Sequence, residues 1–76
     1  MTREDEAIEL RAEWGQLREE QELLTATGRR LVRSTDAAAL RRHAARLHAH
    51  GQRQQAWQTA AASFHERHGP IGDLLK

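Results

Sequence analysis

From Ala7 onward the chain keeps a seven-residue beat. Leu10, Leu17, Leu24 and Leu31 recur every seventh residue, and Ala7, Trp14, Gln21 and Gly28 fill the alternate positions. Steps of three and four hold one stripe of an α-helix against a neighbour, so the pattern predicts a helix with a coiled-coil seam. Thr2, followed three residues later by Asp5, reads as an N-terminal capping pair, so this first helix is expected from about residue 3 to about residue 33. The stretch "RSTDAA" ends it, because Ser, Thr and Asp compete for backbone hydrogen bonds, and Thr35 or Asp36 can cap a second helix.

The second helix is rich in alanine and is expected from about residue 36 to about residue 68, where "HGP" supplies a glycine stop and a proline beyond it. Gly51 is its weak point and the place where a kink could form, since glycine costs about 1 kcal/mol relative to alanine in a helix. Folding the chain at the break brings together residues whose numbers add to about 71, because antiparallel neighbours keep a constant sum. Leu31 then meets Leu40, Leu24 meets Leu47, Trp14 meets Trp57, Leu10 meets Ala61 and Ala7 meets Phe64. Two polar layers fall in the same seam, Gln21 beside His50 and Leu17 beside Gln54, and such layers fix register at some cost in stability. The expected fold is therefore all-α, an antiparallel two-helix hairpin forming one domain over residues 1 to 76, with a short C-terminal tail at 69 to 76. A parallel leucine zipper is the rival, with Glu6 and Arg11, and Glu13 and Arg18, placed for interchain ion pairs.

A hairpin has one seam, and its remaining faces must be polar or covered. Ala38, Ala45, Ala49, Ala56 and Ala60 make a second stripe of small residues on helix 2, and Ile8, Ala12, Gly15, Leu23 and Ala26 lie off the leucine seam of helix 1. Pairing two hairpins through these faces gives a homodimeric four-helix bundle. Size points the same way, because a chain of 76 residues buries only about 60% of its unfolded surface and gains from self-association. With no cysteine, disulfides and thiolate zinc sites are excluded as reinforcement.

Charge adds a direction to the rod. Residues 1 to 22 hold eight acidic and three basic side chains, whereas residues 23 to 76 hold three acidic and nine basic, so the net charge of +1 hides a dipolar molecule. Folding gathers Arg29, Arg30, Arg33, Arg41, Arg42 and Arg46 at the closed end, a positive tip suited to an acidic protein surface or to phosphates. Some of that charge has a structural use, since arginines in the last turns of helix 1 complement its dipole, but Arg41 and Arg42 start helix 2, where the dipole disfavours them. No aromatic residue lies among the arginines to stack on bases.

The remaining chemistry is sparse. His65 and His68 are neighbours on one helix face and fall opposite the acidic start of the chain, so with Glu6 or Glu9 they form a weak candidate for zinc or nickel. His65 and His68 beside carboxylates are also simply an ion-paired cluster, and no metal or other cofactor is assigned. His50 reads as a hydrogen-bonded layer. There is no glycine-rich phosphate loop, no nucleophile elbow and no zincin motif, so neither catalysis nor a small-molecule substrate is expected. No apolar run approaches a membrane span and the start "MTREDEAIEL" lacks the pattern of a signal peptide, so a cytoplasmic location without membrane contact is expected.

The tail "GPIGDLLK" places Ile71, Leu74 and Leu75 in a short apolar segment that either folds back on the bundle or docks elsewhere. These eight residues are loosely similar to the C-terminal cargo-loading peptides of encapsulin shells, and that resemblance would imply a docking role. The leading functional expectation is a non-enzymatic coiled-coil adaptor or regulator that dimerises and presents its arginine tip to an acidic protein. The alternative is a small nucleic-acid-binding bundle that contacts phosphates through the same tip. Trp14 and Trp57 would anchor a partner if exposed but are expected in the core.

Overall fold

The computed structural model describes residues 2–69. Two helices, α1 (Arg3–Leu31) and α2 (Ala37–His68), pack against each other as an antiparallel hairpin 49 × 19 × 17 Å in extent, and no strand is present among the described residues. The expected tail segment with Ile71, Leu74 and Leu75 lies outside the described residues.

Each helix boundary has a local cause. Thr2 Oγ1 accepts from the Asp5 backbone N–H at 3.2 Å and so caps α1, whose first turn carries Glu4, Asp5 and Glu6 at the positive end of the dipole. The far end of α1 stops two residues earlier than the seam pattern suggests, at Leu31, because Ser34 N–H donates to the Leu31 carbonyl at 2.9 Å and tightens the chain into a turn. Asp36, not Thr35, caps α2 by accepting from Ala39 N–H at 3.1 Å. α2 runs through Gly51 without a break. It ends at Gly69, whose φ of 91° is a left-handed value that only glycine adopts without strain and whose N–H satisfies the His65 carbonyl at 2.8 Å.

The seam follows the expected pairing. Trp14 and Trp57 stack with ring centroids 4.8 Å apart, Ala7 and Leu10 form one buried cluster with Phe64, and Gly28 lies against His43. Phe64 is fully enclosed, and Arg3 reaches over its ring at 5.9 Å. Enclosure fades toward the turn. Leu10, Leu17 and Leu24 of α1 are buried, yet Leu40 and Leu47 of α2 stay 41% and 45% exposed. The Gly28 layer explains part of this, since it contributes no side chain to cover the leucines on either side of His43.

The polar layer differs in detail. His50 is buried, but its partner is Glu20 and not Gln21: Nδ1 stands 2.6 Å from Glu20 Oε1, while the Gln21 amide donates to Thr25 Oγ1 at 3.4 Å. Glu20 wins because the same carboxylate is also held by Arg53, and a charge-assisted pair outweighs a neutral amide.

Candidate functional site

The closed end of the hairpin is built by a short, self-satisfied turn. Ser34 Oγ accepts from Asp36 N–H at 3.1 Å, and Asp36 in turn spends its carboxylate on the α2 cap. The one acidic side chain at the bend is thereby engaged with backbone. Around it stand Arg29 and Arg30 in the last turn of α1, Arg33 in the turn itself, and Arg41 and Arg42 near the start of α2. Arg46 follows one turn later on the flank.

All six of these arginines are exposed, and among the described residues none has a carboxylate within ion-pair distance. Only Arg30 has a side-chain partner, the Thr27 hydroxyl at 3.3 Å. Arg29 and Arg30 sit where the negative end of the α1 dipole favours them; Arg41 and Arg42 sit at the positive end of α2, where the dipole opposes them. The tip therefore concentrates like charge without internal compensation. Val32, 79% exposed, and Leu40, 41% exposed, flank Arg33 and Arg41 in the sequence. Such a surface attracts anions and offers exposed apolar side chains beside them.

Two arginines of α2 beyond the tip are paired, and these pairs were not foreseen from the sequence, whereas Arg11 and Arg18 on α1 are exposed and have no ion pair among the described residues. Arg67 Nη1 donates to Glu6 Oε1 at 2.9 Å, and Arg53 pairs with Glu20. The signal was available in the numbering. Both pairs add to 73, two beyond the seam value, which marks the flank beside the seam; pairing Glu6 with Arg11 for a zipper overlooked it. His68 Nε2 stands 3.4 Å from Glu6 Oε2, within ion-pair range but without hydrogen-bond geometry. The Arg67 hydrogen bond, reinforced by the charges of Arg67 and His68, holds the Glu6 carboxyl below its ordinary value against the opposing effect of desolvation.

The metal candidate is not assembled. His68 alone reaches Glu6; His65 is exposed and makes no contact with it, and among the described residues no group of three His, Asp or Glu side chains is close enough to hold a metal ion. The two tryptophans are half-buried against each other, and Trp57 also donates to the Leu10 carbonyl, so they serve the seam.

Three clefts of about 370, 270 and 210 Å³ run along one flank of the hairpin. Their α1 wall is acidic, with Glu6, Glu9, Glu13 and Glu20, and their α2 wall carries Arg46, Arg53 and Arg67. Of the alanine stripe, Ala49, Ala56 and Ala60 line these clefts, whereas Ala38 and Ala45 line none of them; Leu23, 70% exposed, borders the one nearest the turn and Ile8 borders none. No helix among the described residues is long and apolar enough to cross a membrane. No protein-family model matches this chain, and no curated protein or solved structure matches it either.

Proposed function

We propose that the protein is a non-enzymatic, cytoplasmic adaptor or regulator, a helical hairpin that pairs with a second copy and binds an acidic protein surface through Arg29, Arg30, Arg33, Arg41, Arg42 and Arg46. The observation that carries this reading is the clustering at one end of the hairpin of six exposed arginines without an ion partner among the described residues. Arg53 and Arg67 are neutralised by glutamates of α1, and the unpaired Arg11 and Arg18 stand singly on the acidic helix. Like charges held together cost free energy in the isolated chain and return it when an anionic surface arrives, so an uncompensated cluster favours association. Exposed Val32 and Leu40, next in sequence to Arg33 and Arg41, fit a protein partner better than a bare phosphate chain, because proteins offer side chains to cover them.

The test is fluorescence anisotropy with three labelled probes: a Glu/Asp-rich peptide containing leucines, a DNA duplex and a single-stranded RNA, each at about 50 mM salt and again at about 200 mM. Replacing Arg29, Arg30, Arg33 and Arg41 with Gln should weaken peptide binding by at least about tenfold, while circular dichroism shows unchanged helicity. Tighter binding to the nucleic acids with a steep salt slope would transfer the tip to the phosphate-binding reading. No binding to any probe would overturn both.

A further inference from the structure

The outer face of α2 is exposed along its length and made of small side chains: Ala45, Ala49, Ala56, Thr59 and Ser63 around Gln52. Thr59 Oγ1 donates to the Gln55 carbonyl at 3.1 Å, so its hydroxyl is satisfied within the helix. The two ends of this face carry opposite charges, Arg42 near the turn and Glu66 near the open end, both exposed and neither ion-paired among the described residues. Ala49 and Ala56 stand where this face meets the cleft-bearing flank, and a contact centred on Ala45, Gln52 and Thr59 leaves the Glu6–Arg67 and Glu20–Arg53 pairs solvated, whereas closing the clefts would desolvate them.

We propose that a second copy of this chain docks antiparallel on the outer face of α2, with Arg42 of each copy against Glu66 of the other. Residue numbers across the contact then add to about 108. Ala45 meets Ser63 and Ala49 meets Thr59, so small side chains face each other on both arms of the contact, and at its centre the Gln52 of each copy lies over the Ala56 of the other. Charge selects the orientation. A parallel pair would set Arg42 beside Arg42 and Glu66 beside Glu66, whereas the antiparallel pair makes two attractive contacts.

A strip from residue 42 to residue 66 is about 36 Å long and one helix wide, which buries on the order of 800 Å² in total, below the roughly 1,200 Å² of a stable complex. The dimer is therefore in concentration-dependent exchange. Its two arginine tips point to opposite ends, about 50 Å apart at 1.5 Å per helical residue. If the tip is the binding end, as the proposed function has it, the dimer bridges two acidic partners instead of gripping one with doubled charge.

The chain has no cysteine, so Thr35→Cys gives a unique label in the turn. Sedimentation equilibrium from about 5 to about 500 µM should show dimerisation across that range, and spin labels at position 35 should report a separation near 50 Å. Arg42→Glu and Glu66→Arg should each weaken association at least about fivefold, and the two together should restore it; both changes suit the dipole of α2, so folding is preserved. A monomer at every concentration, a label separation under about 30 Å, or a double variant no better than the singles would overturn the proposal. The outcome is independent of the tip's partner: a monomer that still binds the acidic peptide leaves the proposed function standing, and an antiparallel dimer that does not bind it removes only that function.

Discussion

Trp57 on α2 donates its indole N–H to the backbone carbonyl of Leu10 on α1 at 2.8 Å, forty-seven positions away in sequence. The carbonyl belongs to a helix interior and has a second lone pair to offer, so the bond ties the two helices without breaking either ladder. Its stacking partner Trp14, 4.8 Å away and tilted by 33°, has no such hydrogen bond among the described residues. The two tryptophans should respond differently to the same change. Trp57→Phe removes the tie and should lower stability by about 1–2 kcal/mol, whereas Trp14→Phe keeps an aromatic contact and should cost less than about 1 kcal/mol. Urea midpoints for both variants, read by helicity, check the order.

Glu6 links the open end of the hairpin through Arg67 and His68, and the pair makes stability depend on acid. Its carboxyl is held below the ordinary value of 4.5 in the folded chain by the Arg67 hydrogen bond first and by the charges of Arg67 and His68 after that. A group whose folded pKa is depressed binds its proton more readily when unfolded, so its contribution is complete above the ordinary value and is lost as pH falls through the folded one. Melting temperatures of the wild type and Glu6→Gln should differ at pH 7, and the gap should narrow as pH falls below 4.5. A gap of constant size across that interval would show that the carboxylate's charge plays no part.

The hairpin was legible because its seam obeys a constant sum, and the aromatic, alanine and leucine positions that fill it tolerate little else. Trp14 with Trp57 and Ala7 with Phe64 follow from spacing alone, while Leu10, expected opposite Ala61, joins the same cluster as Phe64. What spacing could not supply was the choice between side chains one position apart. Glu20 and Gln21 are both within reach of His50, and only the presence of Arg53 on the facing turn decides for the glutamate. The arginine tip was legible as a cluster, since a fold line must bring helix ends together. That its only carboxylate, Asp36, is committed to the α2 cap depends on turn geometry that composition does not reveal.

His50 tests what the polar layer is for. It is 3% exposed, its Nδ1 faces Glu20, and its Nε2 is buried without a hydrogen-bond partner. An unpaired buried nitrogen costs about 1–3 kcal/mol, and Glu20 retains Arg53 if the imidazole is removed. His50→Leu, which keeps most of the volume, should therefore be neutral or stabilising, while His50→Ala should cost about 2–4 kcal/mol through the cavity it leaves. Thermal melts of the two variants check both signs. If leucine proved as damaging as alanine, the Glu20 contact would be holding the register and the layer would be a structural requirement.

The three helical glycines separate propensity from packing. A Cβ built on Gly15 or Gly51 meets nothing within 4 Å, so alanine at either site should gain the full helix-propensity difference of about 1 kcal/mol. In a chain this short that raises the melting temperature by about 4–8 °C. At Gly28 the same Cβ would lie 3.2 Å from His43 Nε2, closer than comfortable contact, and the imidazole's Nδ1 is already buried without a partner. Gly28→Ala must push His43 aside before any propensity is gained, so its melting temperature should stay near that of the wild type or fall below it. Scanning calorimetry on the three single variants measures the difference directly. Equal stabilisation at all three sites would mean that His43 moves freely and that the seam near the turn is looser than its helix spacing implies.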